Sequence, residues 1–308
     1  MRRQAGVAAV TAILIVAVAA TAATLMLSQQ GAMLEQASLI ASRAQADGYA
    51  QAGLDWARGI LAEHARAAGS APVDSLAEPW AQPIVGLPVE RALIAGAISD
   101  EQGKFNLNNL FKENRRSEAD LEIFRQLLNS LGLDPELRFA VLDWIDPDSD
   151  LSGAGGAEDA YYLSLARPYR AANQPMVQVE ELYRVRGFDS KVVARLMPYV
   201  TALPGHTAVN VNTASEIVLG AVLPKMPREE IAQRLRSRAA KPFRNQADIA
   251  SWASQAEPAA LGEALDVKSS YFSVRVQVAQ DDVEVSTEAL LQRSPNGATA
   301  IVWRRPRY

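Results

Sequence analysis

The chain begins with a few polar residues and then runs into a long apolar segment. Residues 7–27 form a stretch of 21 residues without a charged side chain, close to the ~20 residues that a helix needs to cross the core of a bilayer. No proline follows before Pro72, so nothing in the sequence stops this helix from continuing beyond the apolar segment. We therefore predict a transmembrane helix over residues 7–27 that continues as a spacer over residues 28–66.

The spacer part of this helix carries a repeating apolar face. Four residues recur at helical spacing, namely Tyr49, Gly53, Trp56 and Ile60. We expect this outer half of the helix to pack on a globular head.

Strand patterns lie on both sides of a block of helical patterns in the rest of the chain. The four prolines of residues 72–88 predict a loop that leaves the first helix. Alternating apolar and polar residues predict strands over residues 91–99, 104–107, 270–279, 283–292 and 299–304. Helical periodicity predicts helices over residues 118–131, 135–144, 179–186, 190–200, 214–221 and 228–239.

This order of elements indicates an α+β fold in which one antiparallel sheet is interrupted by a large helical insertion. Residues 67–110 would give the first part of the head and residues 268–308 its last strands, with residues 111–267 inserted between them. Three separate domains are the alternative, but they would leave exposed two-stranded pieces, which are marginally stable alone.

The charges around the apolar segment predict its orientation. Arg2 and Arg3 precede it, and no acidic residue occurs before Glu35, so the positive-inside tendency places the N-terminus in the cytoplasm. A cleaved secretory signal with an A-x-A-like site and an unprocessed membrane anchor also fit the segment. A twin-arginine export signal fits only through its arginine pair.

The short basic leader that ends in Gly6 directly before the apolar segment resembles the signal of type IV pilins and pseudopilins. That resemblance implies cleavage by a prepilin peptidase between Gly6 and Val7, methylation of Val7, and residues 1–6 as the leader. Most such proteins carry glutamate at the fifth mature position, where this chain has Thr11. The K-subunit family of type II secretion minor pseudopilins typically lacks that glutamate, and the chain resembles this family.

Composition excludes several classes of site. The net charge of −4 opposes a surface built to hold phosphate backbones. The absence of cysteine excludes disulfides, thiolate catalysis and cysteine metal sites. Neither His64 nor His206 has a nucleophile or ligand partner at motif spacing, and residues 153–156 lack the lysine of a phosphate-binding loop. We therefore expect no catalytic centre.

Residues 134–159 hold eight acidic residues and one basic residue, Arg138. Carboxylates this dense repel one another unless they are solvated or bridged by a cation, and calcium accepts 6–8 oxygen ligands. The segment is not an EF-hand, because Leu151 and Ala157 stand where glycine and glutamate are required. The residues alone leave a calcium site and a solvated acidic loop as open alternatives.

Residues 103–108, the acidic segment, Pro175-Met176 and residues 180–182 resemble the K-subunit family as well. The family binds calcium in its helical insertion, so the resemblance implies a structural calcium site here, without identifying the direct ligands. The candidate ligands are Asp143, Asp146, Asp148, Asp150, Glu158 and Asp159.

A second resemblance points to a different function. Residues 181–188, 210–214 and 241–244 resemble helix-hairpin-helix modules of DNA-binding proteins, which implies a membrane-tethered DNA-binding protein of a competence-type system as the alternative. The second hairpin carries Pro224 and Pro227 instead of glycine, and proline removes backbone donors that would face phosphate. We expect a packing motif that binds no nucleic acid.

The K-subunit resemblance implies a minor pseudopilin of the tip complex that starts a periplasmic pseudopilus and supports export of folded proteins. It implies other minor pseudopilins, the major pseudopilin, the prepilin peptidase and the inner-membrane secretion platform as partners. The protein would span the bacterial inner membrane once, with its head in the periplasm. Because Thr11 carries no charge to neutralise a neighbour's terminal amine, we expect one copy, at the filament end furthest from the membrane.

Overall fold

The structure is a computed structural model that describes residues 4–69, 72–254 and 258–307. Arg2 and Arg3, on which the predicted orientation depends, lie outside these residues. The helices are α1 (Gln4–Ala68), α2 (Glu118–Ser130), α3 (Leu137–Ile145), α4 (Asp159–Tyr162), α5 (Ser190–Leu196), α6 (Glu216–Val222), α7 (Arg228–Ser237), α8 (Gln246–Trp252) and α9 (Pro258–Ala264). The strands are β1 (Ile84–Val89), β2 (Ala92–Asp100), β3 (Phe105–Asn106), β4 (Phe111–Lys112), β5 (Arg115–Arg116), β6 (Val200–Thr201), β7 (Val209–Asn210), β8 (Leu265–Asp266), β9 (Tyr271–Gln280), β10 (Val283–Arg293) and β11 (Thr299–Pro306). Short 3-10 helices cover Pro79–Ala81, Glu101–Gly103, Leu107–Leu110 and Val179–Arg184.

Helix α1 is continuous, as the absence of proline predicts, and its two halves have different surroundings. Side chains from Val7 to Ala41 are exposed, and α1 is the one helix in the described part of the chain that is long and apolar enough to cross a membrane. The outer half packs against the sheet through a stripe of small and apolar residues, which are Ala46, Ala50, Leu54, Ala57 and Leu61.

The prediction of which face of α1 packs against the head is wrong. The buried face is rotated from the predicted one by part of a turn. Tyr49 and Ile60 are only partly buried against the head, and Trp56 is 52% exposed. The alanine-rich stripe lies against the sheet instead, because small side chains let the helix approach the strands closely. The predicted face, which carries the bulkier side chains, lies at the side of the contact between α1 and the sheet.

The sheet confirms the interrupted α+β architecture. Its five strands lie in the order β1-β2-β9-β10-β11, and every neighbouring pair is antiparallel. Strands β2 and β9 pair over nine residues although more than 150 residues separate them in the chain. The helical insertion therefore leaves and re-enters the sheet between two adjacent strands.

Strand β1 corrects the prediction of a loop over residues 72–88. Gly86 has a positive φ of 66°, the register shifts between Ile84 and Leu87, and Pro88 lies within the strand. Glycine and proline usually interrupt strands, but an edge strand tolerates both because one side of it is not paired. The breaker residues thus concealed an edge strand from sequence analysis.

The insertion consists of two modules with the same framework. In the first, β3 pairs in parallel with β6, and in the second, β7 pairs in parallel with β8. Each module opens with an asparagine whose side chain accepts the backbone N–H two residues later, Asn106 in one and Asn210 in the other.

The second asparagine of each pair makes the same two bonds in both modules. Asn108 donates to the carbonyl of Met176 at 2.9 Å and accepts its N–H at 2.8 Å. Asn212 does the same with Phe243, at 2.9 and 2.8 Å. The helix-hairpin-helix likeness is thus a packing framework whose asparagine side chains are buried and occupied within the fold.

A buried ion pair lies within the head, at the place where the insertion is attached. Arg293 of β10 donates to Asp74 at 2.5 Å, and their side chains are 4% and 0% exposed. The backbone N–H of Ser269, just before β9, donates to the same carboxylate oxygen at 2.8 Å. His64, in the last turns of α1, lies 3.5 Å from the other Asp74 oxygen.

Asp100 continues this network at the end of β2. Its carboxylate accepts the backbone N–H of Gln102 and three side-chain donors, from Asn210, Thr213 and Ser269, at 2.6 to 2.9 Å. Burial raises the pKa of Asp100 to about 6 although these donors favour its ionised form. We call Asp74, Asp100, Ser269, Asn210 and Arg293 the joint.

Replacing Arg293 by methionine should destabilise the protein strongly, because it leaves the Asp74 carboxylate buried without its cation. Breaking a buried pair from one side typically costs about 3–5 kcal/mol. We expect a loss of this size in urea unfolding of the detergent-solubilised chain, and partial recovery when Asp74→Asn is added. Arg125→Met is the matched control, since it removes the exposed pair with Glu122 and should cost at most about 1 kcal/mol. Equal losses from the two arginine variants would contradict a structural role for the joint.

Candidate metal centre

The acidic segment connects α3 to α4, and the two ends of its loop meet in the first module. Helix α3 carries Asp143 on its buried face, and Asp146 follows its last residue in an extended conformation. Glu158 is likewise extended and immediately precedes α4. Edge-to-face packing of Trp144 on Tyr162, with ring centroids 5.3 Å apart, fixes α3 against α4.

Three glycines let this loop fold onto α3. A Cβ atom at Gly153 would overlap the ring of Phe139, and one at Gly155 would overlap the carbonyl oxygen of Glu136. A Cβ at Gly156 would overlap the carboxylate of Asp143. Glycine is therefore required where the backbone passes over the helix and its acidic side chain.

Three carboxylates converge at the mouth of the loop. Asp146, Asp148 and Glu158 each contribute an oxygen, and these oxygens lie within 4.8 Å of one another. Asp146 and Glu158 are buried whereas Asp148 is exposed, which leaves the group open to solvent on one side. Asp143 belongs to the same group electrostatically, because its charge acts on both Asp146 and Glu158.

Several of these oxygens have no hydrogen-bond partner. Asp143 accepts the N–H of Ser152 at 3.0 Å through one oxygen, but its other oxygen is buried and unpartnered. The same holds for one oxygen of Asp146 and for both oxygens of Glu158. Among the described residues, no lysine, arginine or histidine forms an ion pair with Asp143, Asp146 or Glu158.

This arrangement disfavours negative charge unless a cation is bound. Burial raises the pKa of Asp146 to about 7, and repulsion from Asp148 and Asp143 adds to the shift. Burial and the neighbouring carboxylates raise the pKa of Glu158 to about 8, and burial also raises that of Asp143. Unpartnered buried carboxylate oxygens with one solvent-facing ligand fit a hard divalent cation, and calcium accepts oxygen donors in flexible geometry.

The structure places the other two candidate ligands outside this group. The backbone N–H of Asp150 donates to Asp148 at 2.8 Å, while the Asp150 residue is exposed. Asp159 accepts the N–H of Ala171 at 3.0 Å and pairs with Arg170 at 3.2 Å. Asp159 therefore fastens the segment after α4, while its charge still adds to the repulsion that raises the pKa of Glu158.

Asn173, which no sequence pattern singles out, lies beside the group. Its amide donates to the carbonyl of Asp148 at 2.8 Å, and its side-chain oxygen is buried without a partner. Its φ of 47° is one that asparagine tolerates better than most residues. The one signal in the sequence was an asparagine downstream of the acidic segment, but 25 residues separate it from Asp148.

The region of the predicted processing site is the inner end of α1. Val7 is 65% exposed, and the Thr11 hydroxyl donates to the carbonyls of Val7 and Ala8 at 3.0 and 2.9 Å. Gly6 lies within α1. The hydroxyl of Thr11 is thus satisfied within its own helix, as threonine hydroxyls commonly are.

Comparison with known proteins identifies one family along most of the chain. Profiles described as type II secretion system protein K match residues 103–205 and 209–275, which correspond to the two modules of the insertion. The type II secretion system protein K of Pseudomonas aeruginosa is 33% identical over 99% of this chain and 93% of its own length. That of Aeromonas hydrophila is 31% identical over 98% of this chain and 97% of its own length.

A solved structure has the same fold. It is the crystal structure of the GspK-GspI-GspJ complex from the type 2 secretion system of enterotoxigenic Escherichia coli. The TM-score is 0.76 at 24% identity, over 86% of this chain and 97% of the matched chain. These matches do not favour the DNA-binding alternative.

Without metal, the stability of the protein should fall as pH rises through neutrality. Below about pH 4, Asp146 and Glu158 are largely protonated in the folded and unfolded chains alike. Above it the unfolded chain releases protons that the folded chain retains up to about pH 7 and 8, so the free energy of unfolding decreases. We expect the melting temperature in excess EDTA to fall between about pH 5 and about pH 8.

Asp146→Asn combined with Glu158→Gln should flatten this decrease. Asp134→Asn combined with Asp150→Asn removes two acids outside the group and should leave it intact. A slope that is the same in both double variants would show that the raised pKa values do not control it.

Proposed function

The chain belongs to the protein K family of type II secretion systems, and we propose that it is the minor pseudopilin at the tip of the pseudopilus. The observation that carries this proposal is the continuity of α1. The inner half of α1 is exposed and apolar, and its outer half forms part of the core of the head. A displacement of the membrane segment is therefore transmitted directly to the head and, through the joint, to the insertion.

The function is mechanical rather than catalytic. The matched relatives are secretion-system components, and the titratable cluster of the first module consists of carboxylates suited to holding a cation. His64 contacts Asp74 and Glu78 as part of the packing beside the joint. His206 faces Asp120 at 3.7 Å, and neither histidine is paired with a nucleophile in the described residues.

The partners follow from the family. The structurally similar GspK was solved together with GspI and GspJ, which supports assembly of this chain with the corresponding minor pseudopilins of its own system. We infer that the further partners are the major pseudopilin, the prepilin peptidase and the inner-membrane platform. The protein would span the inner membrane once through α1, with its N-terminus in the cytoplasm and its head in the periplasm.

The tip position is supported by Thr11 and by the insertion. The Thr11 hydroxyl is neutral and bonded within α1, so it offers no charge to the terminal amine of an adjacent subunit. The insertion, between β2 and β9, adds two modules beside the head. A body of that size is difficult to repeat around a tightly packed filament.

Calcium would be held by Asp146, Asp148 and Glu158, with Asp143 behind them and Asn173 beside them. The ion would neutralise the repelling carboxylates and fix the loop between α3 and α4 in the first module. Its role would be structural, as a ligand that binds only the folded chain stabilises it.

Assembly tests the proposed function directly. The full chain, co-expressed with the other minor pseudopilins of the same system and extracted in mild detergent, should co-purify with them in a defined complex. Deleting residues 111–267 should leave the membrane segment in place but abolish secretion. Normal export of folded proteins in a strain that lacks this chain would contradict the proposal.

Processing should occur between Gly6 and Val7, because the basic leader ends there against the apolar helix. Mass spectrometry of the membrane form should find an N-terminus at methylated Val7. Replacing Gly6 by a bulky residue should block maturation, whereas Ala5→Ser should not. An intact Met1, or an N-terminus beyond residue 20, would contradict the pilin-type signal.

Calcium should raise the melting temperature of the full chain in detergent, and chelation should lower it. At a hundredfold excess over the dissociation constant the ion adds about 2.7 kcal/mol. Asp148→Asn should abolish the response, since it removes the exposed ligand. Asp150→Asn, a neighbouring acid outside the group, should retain it. Equal responses in both variants would remove Asp148 from the ligands, and a melting temperature of the unsubstituted chain that is indifferent to millimolar calcium would make the segment a solvated acidic loop.

A further inference from the structure

We propose that Arg305 of strand β11 is a positioning residue, which holds the first module on the sheet and connects the metal centre to the C-terminal strand. This proposal rests on the calcium site proposed above, and it adds the contacts through which that site reaches the head. We call Arg305, Gln178, Glu180 and Glu288 the clasp, because Arg305 contacts the other three.

All three nitrogens of the Arg305 guanidinium are used in the clasp. Nη1 donates to Gln178 Oε1 at 2.6 Å, and Nη2 donates to Glu180 at 2.6 Å and to Glu288 at 3.0 Å. Nε donates to the same Glu288 oxygen at 3.3 Å. Gln178 and Glu180 lie at the start of the 3-10 helix Val179–Arg184 of the first module, whereas Glu288 lies on β10. A planar guanidinium can serve acceptors on both sides, which the single nitrogen of a lysine does not match.

The charges on the two sides of the clasp are complementary. On the sheet, Glu288 also pairs with Arg307 at 3.2 Å and lies 3.7 Å from Arg275. Three arginines around one glutamate leave the sheet side with an excess of positive charge, and Glu180 of the first module supplies a negative charge to it. Burial raises the pKa of Glu180, but the hydrogen bond and the charge of Arg305 outweigh burial and lower it below its usual value.

The clasp borders a cleft between the first module and the sheet. The cleft has a volume of about 190 Å³, with Val177 and Met197 on the side of the module and Leu290 on the side of the sheet. At Leu290 it meets a buried apolar contact with Leu203 and Tyr271. Because side chains do not fill the cleft, the polar contacts of the clasp hold the module at this place.

The 3-10 helix Val179–Arg184 leads from the clasp to the metal centre. Its six residues span about 12 Å at about 2.0 Å per residue. At its far end, the hydroxyl of Tyr169 donates to the carbonyl of Arg184 at 2.7 Å. Next to this end, the Arg186 side chain donates to the carbonyl of Gly156 at 2.8 Å. Gly156 belongs to the acidic loop and precedes Glu158 by two residues.

The near end of this helix is fixed as well. The carboxylate of Glu181 accepts the backbone N–H groups of Val177 and Gln178, at 2.7 and 3.1 Å. The helix is thus held at both ends, so the position of the acidic loop and the position of the clasp depend on each other. Calcium, which would fix the loop, should then favour the closed clasp, and by reciprocity the closed clasp should favour calcium binding.

The clasp should affect local position more than global stability. The side chains of Arg305 and Glu180 are 29% and 41% exposed, and ion pairs that water reaches contribute little to the free energy of unfolding. A role limited to surface charge would therefore change neither the local opening of the 3-10 helix nor calcium binding.

Hydrogen exchange in the full chain, solubilised in detergent, tests the positioning role. Arg305→Met should speed the exchange of the backbone amides of residues 177–184 about tenfold, with little change in melting temperature. Arg305→Lys keeps the charge but not the planar fork, and it should have the same effect. Arg304→Met is the matched control, because this neighbouring arginine bonds Gln51 of α1 instead, and it should leave residues 177–184 unchanged.

Titration with Ca²⁺ alone tests the connection to the metal centre. Arg305→Met and Glu180→Met should each weaken calcium binding about fivefold. The double variant should weaken it no further, because both substitutions remove the same contact. In the reverse direction, added calcium should slow the exchange of residues 303–305 in the unsubstituted chain and not in the Glu180→Met variant.

Three results would overturn the proposal. Equal exchange of residues 177–184 in the Arg304→Met and Arg305→Met variants would remove Arg305 as a positioning residue. The same calcium affinity in every variant would remove the connection while leaving the metal centre intact. A failure of the unsubstituted chain to bind calcium would contradict the metal centre and the connection together, whereas co-purification with the other minor pseudopilins decides the proposed function separately.

Discussion

The structure depends on one buried ion pair and the hydrogen bonds that surround it. Asp74 and Arg293 are separated by 219 residues in the chain, yet their side chains meet in a space closed to solvent. Charges in such a place are costly unless every one is paired or hydrogen-bonded. The segments that supply partners are thus held in one arrangement, and these are the loop after α1, the end of β2, the second module and strand β10.

That constraint explains how a helical insertion between two strands can be held in a fixed position relative to the sheet. Asp100 ends β2, and Ser269 precedes β9, so both connections to the insertion pass through the joint. Asn210 and Thr213 of the second module donate to Asp100. The outer half of α1, the sheet and the second module are therefore held together by the same buried contacts.

The sequence predicted the elements that have strong periodicity and missed those that depend on single contacts. Helix α1 was predicted from an uncharged apolar segment that no proline follows before Pro72, and strands β2, β9 and β10 were predicted from their apolar patterns. Periodicity marked the face of Trp56, but it did not distinguish a face that packs inside the head from one left at its flank. Strand β1 was concealed by Gly86 and Pro88, since tolerance of these residues depends on its position at the sheet edge.

The same limit applies to the metal centre. Composition located the acidic segment, but Asp148 and Asp150 are chemically identical, and only the fold separates them. Asp159 is used for a local ion pair, and Asn173 comes from a distant segment. The joint was not predicted, because pairs such as Asp74 and Arg293 leave no repeating pattern.

We propose, as our central claim, that this subunit closes a filament rather than repeating along it. Labelling the head in assembled pseudopili with an antibody to the insertion, followed by electron microscopy, tests the claim most directly. We expect one label per filament, at the end furthest from the membrane. Labels at regular intervals along the shaft would contradict it.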